Sequence, residues 1–264
     1  MKRYLYITRV NLLETINYKE HLTITFVSNI VYIILIYFLC KEIYINAGGL
    51  INGLTFKDTF LYLSMASCIN TLYLTWADAH IAESILNGNI ILRLLRPMDF
   101  IMNIFFEKLG TVGSNGIVIF IPTLVILAVV LRKNLLVGPM TVLFVVSLFL
   151  GFVLNFLFEF LIGIAAFKLE SIWGLTALKN SVLMLFAGGV VPIDFFSGKL
   201  RTIVTYLPFR CVFDIPIQFA VNRNLDLYTG LNLLGMQIVW TLIFAIICEI
   251  LFKISVRKIT VNGG

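Results

Sequence analysis

Charge is what this chain lacks over most of its length. The stretches Leu22–Cys40, Thr59–Ala77, Leu109–Leu131, Asn134–Phe158 and Leu227–Cys248 contain no Asp, Glu, Lys or Arg, and Ser171–Ile193 contains only Lys179. Charged residues make up 13% of the chain and hydrophobic residues 60%, with a mean hydropathy of +0.99. That balance excludes an ordinary soluble domain, whose interior could not hide so much apolar surface. Cysteine is scarce as well. The four residues at 40, 68, 211 and 248 form no C-x-x-C pair and no metal-ligand spacing, and a bridge between Cys40 and Cys211 is the only pairing the topology makes conceivable. His21 and His80 are the only histidines and stand far apart, which argues against a zinc site. No H-E-x-x-H or G-x-S-x-G run occurs, so a membrane-embedded enzyme finds none of its usual chemistry. There is no G-x-x-x-x-G-K-[ST] run either; Gly198-Lys199 lacks the upstream glycine.

What is present is a set of long apolar runs. A bilayer core of about 30 Å needs about 20 helical residues, and each of the six stretches reaches that length. Lipid offers the backbone no hydrogen-bond partner, so helices are the default form of such segments. The sequence therefore predicts an all-α polytopic membrane protein with six transmembrane helices. The basic opening MKRYLYITR is followed by no A-x-A-like site, and the first apolar run is long for a signal peptide, so it reads as a retained helix.

Net charge is +6, but the cations lie in short loops and tails. Anionic headgroups and membrane insertion account for them, and no nucleic-acid partner is expected. Lys2, Arg3, Arg9, Lys19, Arg93, Arg96, Lys108, Lys168, Lys253, Arg257 and Lys258 fall on one side of a six-span topology. Lys41, Lys57, Arg132, Lys133, Lys199, Arg201, Arg210 and Arg223 fall on the other. The richer side is expected to be cytoplasmic, with both termini there. In the N-terminal tail Leu5, Leu12 and Ile16 share a helical face that Arg9 interrupts, a weak signal for an interfacial helix.

The fourth apolar segment, 134–167, holds only Glu159 and is expected to tilt, kink near Gly151 or Gly163, or project from the bilayer. Counted along the helix, Glu159 and Glu249 fall near the cytoplasmic boundary, either as carboxylates at the headgroup level or as buried functional acids, while Lys179 can snorkel to the surface. The span centres thus lack the acids that an ion-coupled secondary transporter needs, and no internal repeat is visible.

Two connections do not read as ordinary loops. In Asp78–Asp99, Ile81, Ile85 and Leu86 suggest a short amphipathic helix, Asn87-Gly88-Asn89 breaks it, and Ile90, Ile91, Leu94 and Leu95 suggest a second that Pro97 ends. This apolar face with Arg93 and Arg96 lies flat on anionic lipid or docks a partner; the residues leave both open. In Gly188–Asp226, Leu200, Ile203, Val204 and Leu207 mark an amphipathic helix stopped by Pro208, followed by a broken apolar run, Val212–Ala220. It is too short to span and is expected to dip into the membrane or cap a cavity, with Phe195, Phe196, Tyr206, Phe209 and Phe213 as aromatic anchors or solute contacts. At membrane depth Asn70, Asn115 and Asn155 are candidate pathway residues, or helix-to-helix hydrogen bonds.

Gly88 with Leu92-Arg93-Leu94-Leu95-Arg96-Pro97, then Glu170-Ser171-Ile172-Trp173-Gly174, Gly189-x-x-Pro192-x-Asp194-Phe195-Phe196 and Leu207-Pro208-Phe209 follow one another in this order. Together they resemble the permease subunits of type-2 ABC exporters, in a small bacterial branch without an ATPase domain of its own. Members often carry a proline after the paired aromatics, where this chain has Ser197. The resemblance implies a single transmembrane permease domain over 1–264. Within it, 1–21 would be a cytoplasmic interfacial helix, 79–99 a cytoplasmic coupling region between spans two and three, and 194–226 external re-entrant helices before span six. It implies that Asn87, Gly88, Asn89, Ile91, Arg93, Leu94 and Arg96 meet a separate ABC ATPase, and that Asp194, Phe195, Phe196, Leu207, Pro208, Phe209 and Phe213 form an external gate. ATP and Mg would sit on that partner, with no cofactor in this chain. A second permease subunit would complete the pathway, and the solute would be a drug, antimicrobial peptide or lipid-like molecule exported across the bacterial plasma membrane. An ATP-independent secondary transporter, a membrane-embedded enzyme and an assembly scaffold are the competing readings.

Overall fold

A computed structural model of the chain describes residues 2–131, 140–222 and 225–257. The predicted stretch from Asn134 therefore begins outside the described residues, as do Arg132, Lys133, Arg223 and Lys258 of the charge comparison.

The architecture is helical. α1 (Lys2–Asn17) leads into α2 (Lys19–Asn46), and a two-stranded hairpin, β1 (Leu50–Ile51) and β2 (Leu54–Thr55), follows. Asn52 and Gly53 both take positive φ, at 49° and 81°, the Asn-Gly geometry that joins strands with a two-residue turn. Thr55 then caps α3 (Phe56–Leu72) in a reciprocal capping box with Asp58. α3 is buried from Thr59 to Leu72 apart from half-buried Asn70. The chain next runs through α4 (Ala77–Leu86), a turn at Gly88, the short α5 (Ile90–Leu94), and α6 (Phe100–Asn115), which Asp99 caps through the Met102 N–H at 2.8 Å. A π-helical turn, Gly116–Phe120, passes α6 into α7 (Ile121–Leu131). α8 (Met140–Ile164), α9 (Trp173–Phe186), α10 (Gly198–Tyr206), α11 (Asp214–Val221) and α12 (Leu227–Val256) complete the chain.

Among the described residues, four helices are long and apolar enough to cross a membrane: Lys19–Asn46, Phe100–Leu131, Met140–Phe167 and Leu227–Val256. The remaining two predicted stretches are shorter as helices. Thr59–Ala77 is α-helical only to Leu72, and Ser171–Ile193 only from Trp173 to Phe186. α8 packs against α4, α11 and α12, α2 against α3, and α1 against α6. The fully buried rings Phe144, Phe152, Phe156 and Phe160 run along α8, and Phe100 stacks on Phe252 at 4.9 Å across the bundle.

Glycines set the closest approaches. α8 is α-helical through both Gly151 and Gly163, the two positions named for a kink as one alternative to tilting or projecting. A Cβ at Gly151 would lie 2.8 Å from the Tyr73 hydroxyl, and one at Gly163 would lie 2.7 Å from the Ile81 Cβ. Both positions make room for neighbouring elements. Gly110 does the same for α1, whose docked face carries Tyr4, Thr8 and Asn11 together with Leu12 of the predicted Leu5–Leu12–Ile16 stripe. Leu5 is 58% exposed. The glycine groove favours small and polar contacts, and a hydrophobicity pattern cannot report that.

Candidate functional site

The site is built around an interruption between α3 and α4. α3 ends at Leu72, and Trp76 adopts a left-handed conformation (φ 51°) before α4 begins at Ala77. Such a break frees backbone groups that must find partners. Asn115 of α6 supplies one: its Nδ2 donates toward the carbonyls of Thr71, Leu72 and Leu74 at 3.3, 3.4 and 3.3 Å. Asn155 of α8 donates toward the Tyr73 carbonyl at 3.5 Å and to Glu159 Oε1 at 3.1 Å. The Glu159 carboxylate accepts from the Ala77 N–H at 3.0 Å and from Thr75 Oγ1 at 2.5 Å. A carboxylate at the first N–H groups of α4 also meets the positive end of the helix dipole. Tyr73 is held by its hydroxyl, which donates to the Leu148 carbonyl at 2.7 Å.

A second acid lies beside the first. Asp78, 1% exposed, accepts from Lys179 Nζ at 2.9 Å and from Thr176 Oγ1 at 3.0 Å, both on α9. Lys179 Nζ is also 3.9 Å from Glu159 Oε1. Glu159 is 6% exposed and the Lys179 side chain 9%. Of the two readings of Glu159, the buried acid is the one its surroundings match, and Lys179 turns inward onto Asp78 instead of out to the surface. Each charge is retained inside because the other, with the N–H and hydroxyl donors, replaces water.

Glu159 also borders a cavity of about 150 Å³. α3 and its break contribute Asn70, Tyr73 and Leu74, α8 contributes Asn155 and Glu159, α9 contributes Asn180, Leu183 and Met184, and Phe213 closes it. The Asn70 and Asn180 carboxamides make no hydrogen bond to the described residues, which leaves their donors and acceptors for an occupant. Of the three predicted pathway asparagines, Asn70 and Asn155 line the cavity; Asn115 stands behind it at the break. Glu159 was identifiable from its i, i+4 spacing to Asn155 on one helix face, whereas nothing local in the sequence pairs Asp78 with Lys179.

The coupling candidates divide into two groups. Asn87, Gly88, Asn89, Ile91 and Arg96 are exposed, and Leu86, Leu92 and Leu95 extend the exposed apolar edge. Arg93 and Leu94 turn inward. The Arg93 guanidinium reaches Glu107 Oε2 at 3.2 Å and His80 Nε2 at 2.8 Å. Because arginine only donates, Nε2 accepts and the His80 ring is neutral, with Nδ1 3.2 Å from Glu107 Oε1. Burial, with the nearby Lys108 and Arg93 charges, holds the His80 pKa below its ordinary value against the opposing pull of Glu107 and Glu83.

The outer candidates are spread over the 188–226 segment. Asp194 forms an ion pair with Arg201, and its carbonyl accepts from Asn52 Nδ2 at 3.4 Å, which ties the hairpin to this segment. Phe195, Phe196 and Leu207 are half-buried, and Pro208 is buried. The Phe209 ring lies 5.6 Å from Phe158, and Phe213 stacks on Tyr73 at 6.3 Å. α11 is fastened from below: Asp214 accepts from the Tyr62 hydroxyl at 2.7 Å and from Arg210 Nε at 2.6 Å. Gln237 of α12 donates to the Cys211 carbonyl at 2.8 Å. The predicted apolar face of α10 is not packed. Val204 alone is buried there, while Leu200 and Ile203 are 47% and 58% exposed. Cys40 and Cys211 are free and buried, so no bridge joins them.

Residues 30–263 match the family model described as ABC-2 family transporter protein. The chain belongs to the ABC-2 transporter family. No curated protein matches it. Membership makes it a membrane permease of an ABC transporter, a transport component that is not itself catalytic and that associates with ABC ATPase partners.

Proposed function

We propose that this permease is half of an ATP-driven exporter that moves an amphipathic or hydrophobic solute across a bacterial plasma membrane by alternating access. In this reading α2, α3, α6 with α7, α8, α9 and α12 are the six spans, with both termini cytoplasmic. α3 and α9 are short for a bilayer, at about 26 and 21 Å, and the flanking break and turns complete their crossing. α1 braces the cytoplasmic face, 194–226 caps the outer mouth, and a second permease subunit supplies the other half. ATP and Mg bind to the partner ATPases, whose closure pushes the α4–α5 connector.

One observation carries this reading. The connector presents an exposed apolar edge, Leu86, Ile91, Leu92 and Leu95, at one end, and at the other it continues directly from the Tyr73–Trp76 break, whose Tyr73 and Leu74 line the cavity. A push on that edge therefore has a short route to the cavity wall. The cavity lining mixes carboxamides with Leu, Met and Phe, which suits a solute that is both polar and apolar. The test is recovery of ATPase with the tagged permease. Ile91→Asp with Leu95→Asp is expected to abolish recovery while membrane insertion persists; unchanged recovery overturns the coupling role.

Glu159 is the observation that favours an ATP-independent, ion-coupled transporter, since it places an acid beside the cavity. Its two oxygens are already engaged by Thr75, Ala77 and Asn155, with Lys179 alongside, so it is not poised to bind a transported cation. Solute movement in vesicles driven by an ion gradient without ATP would favour that second reading.

A further inference from the structure

α9 is the least embedded wall of the cavity. Leu183 is its only buried residue, while Trp173, Leu178 and Leu185 are 79%, 60% and 44% exposed. It nevertheless contributes Asn180, Leu183 and Met184 to the cavity lining. At its far end the chain turns at Gly188 (φ 84°), packed so tightly against the Tyr62 hydroxyl that a Cβ cannot be placed there. At its near end the holding contacts are polar: Lys179 and Thr176 on Asp78, and Lys179 beside Glu159. Asp78 is the second residue of α4, and the Ala77 N–H at the start of α4 is bound to Glu159. One ion cluster therefore joins the connector, α8 and α9.

We infer that Asp78, Glu159 and Lys179 form a latch that holds α9 against the cavity, and that displacement of α4 releases it. They are positioning residues: they act on the cavity through α9. The inference rests on the transport reading for its purpose, but the mechanical claim concerns this chain alone. Buried charges suit such a device. Packed between helices, the pairs hold each other, and drawing α4 away leaves Lys179 with only its more distant partner, Glu159, so the cluster separates where water can enter. A purely apolar contact would offer no comparable switch, because its strength changes little when one helix slides by a fraction of a turn.

The test uses Leu183→Cys as a reporter. Leu183 is 4% exposed, and the four native cysteines are buried, so background reaction with a charged, water-soluble maleimide is low. In the purified full-length permease, Lys179→Met is expected to speed labelling at 183 by at least about tenfold, given the usual cost of stranding one member of a buried pair. Asp78→Asn, which keeps the side-chain shape, is expected to do the same. Lys179→Arg, which keeps the charge, is expected to stay near the parent rate. A residue that only stabilised the fold would shift the melting temperature and leave labelling well below it unchanged. Equal rates in the parent, Lys179→Met and Asp78→Asn, or acceleration by Lys179→Arg as large as that by Lys179→Met, would overturn the latch. Those results would leave ATPase recovery untouched, whereas failure to recover any ATPase would count against the transport reading and not against the labelling result.

Discussion

Gly110→Ala tests how α1 is attached. The added Cβ would stand 2.5 Å from the Thr8 carbonyl oxygen, 2.9 Å from the Asn11 Cβ and 2.9 Å from the Leu12 nitrogen. Two of these atoms are backbone and the third is a Cβ, so no rotamer change relieves the contact. α1 must withdraw by about 1 Å to restore ordinary separations. That movement takes the Thr8 Oγ1 to Phe106 carbonyl bond (2.8 Å) and the Thr111 Oγ1 to Asn11 Oδ1 bond (2.9 Å) beyond useful range. At about 1 kcal/mol each, with about 1 kcal/mol from the Tyr4–Phe106 stack, docking weakens by about 3 kcal/mol. That is roughly a hundredfold in the docked fraction, and a 16-residue helix left alone is marginal in water. Amide hydrogen exchange across α1 is the assay, with about hundredfold faster exchange expected. Gly113→Ala is the control: its Cβ comes within 3 Å only of Leu12 Cδ1, a side-chain tip that can rotate away, so exchange should change by about threefold or less. Equal protection in the two variants would refute the glycine-groove account of docking.

His80 predicts a pH dependence. The native ring is held neutral by burial and its cationic neighbours, whereas the unfolded ring titrates near 6.5. Below that pH the unfolded state binds a proton that the native state does not, so thermal stability should fall as pH drops from about 7.5 to about 5, and His80→Gln should flatten the profile. Asn115 and Asn70 should separate cleanly. Asn115→Leu strands the carbonyls at the end of α3 and is expected to lose about 1–3 kcal/mol, read as a lower melting temperature. Asn70→Leu, which breaks no bond to the described residues, is expected to alter solute handling with little change in melting.

The four long apolar helices were legible because lipid imposes a coarse, local requirement: a charge-free run of sufficient length. The Asp78–Asp99 connector was legible for a similar reason, since Asn87-Gly88-Asn89 and Pro97 punctuate it. The Asn52-Gly53 hairpin carried a local signal that hydropathy alone overlooks. The break at 73–76 carried none, as Tyr-Leu-Thr-Trp contains neither glycine nor proline. It exists because Asn115, Asn155 and Glu159, remote in sequence, satisfy its backbone. The same remoteness explains Lys179 and Glu159: counting residues along a helix gives depth but not the partner that makes a buried charge tolerable.

On the transport reading, this ABC-2 permease is driven by a motor on another polypeptide. Native mass spectrometry of the tagged chain, extracted from its own membranes in mild detergent, tests it most directly. An assembly of two permease subunits with two ATPase subunits, able to hydrolyse ATP, is expected. A permease that is isolated without any nucleotide-binding subunit, and that moves its solute in vesicles without ATP, would contradict it.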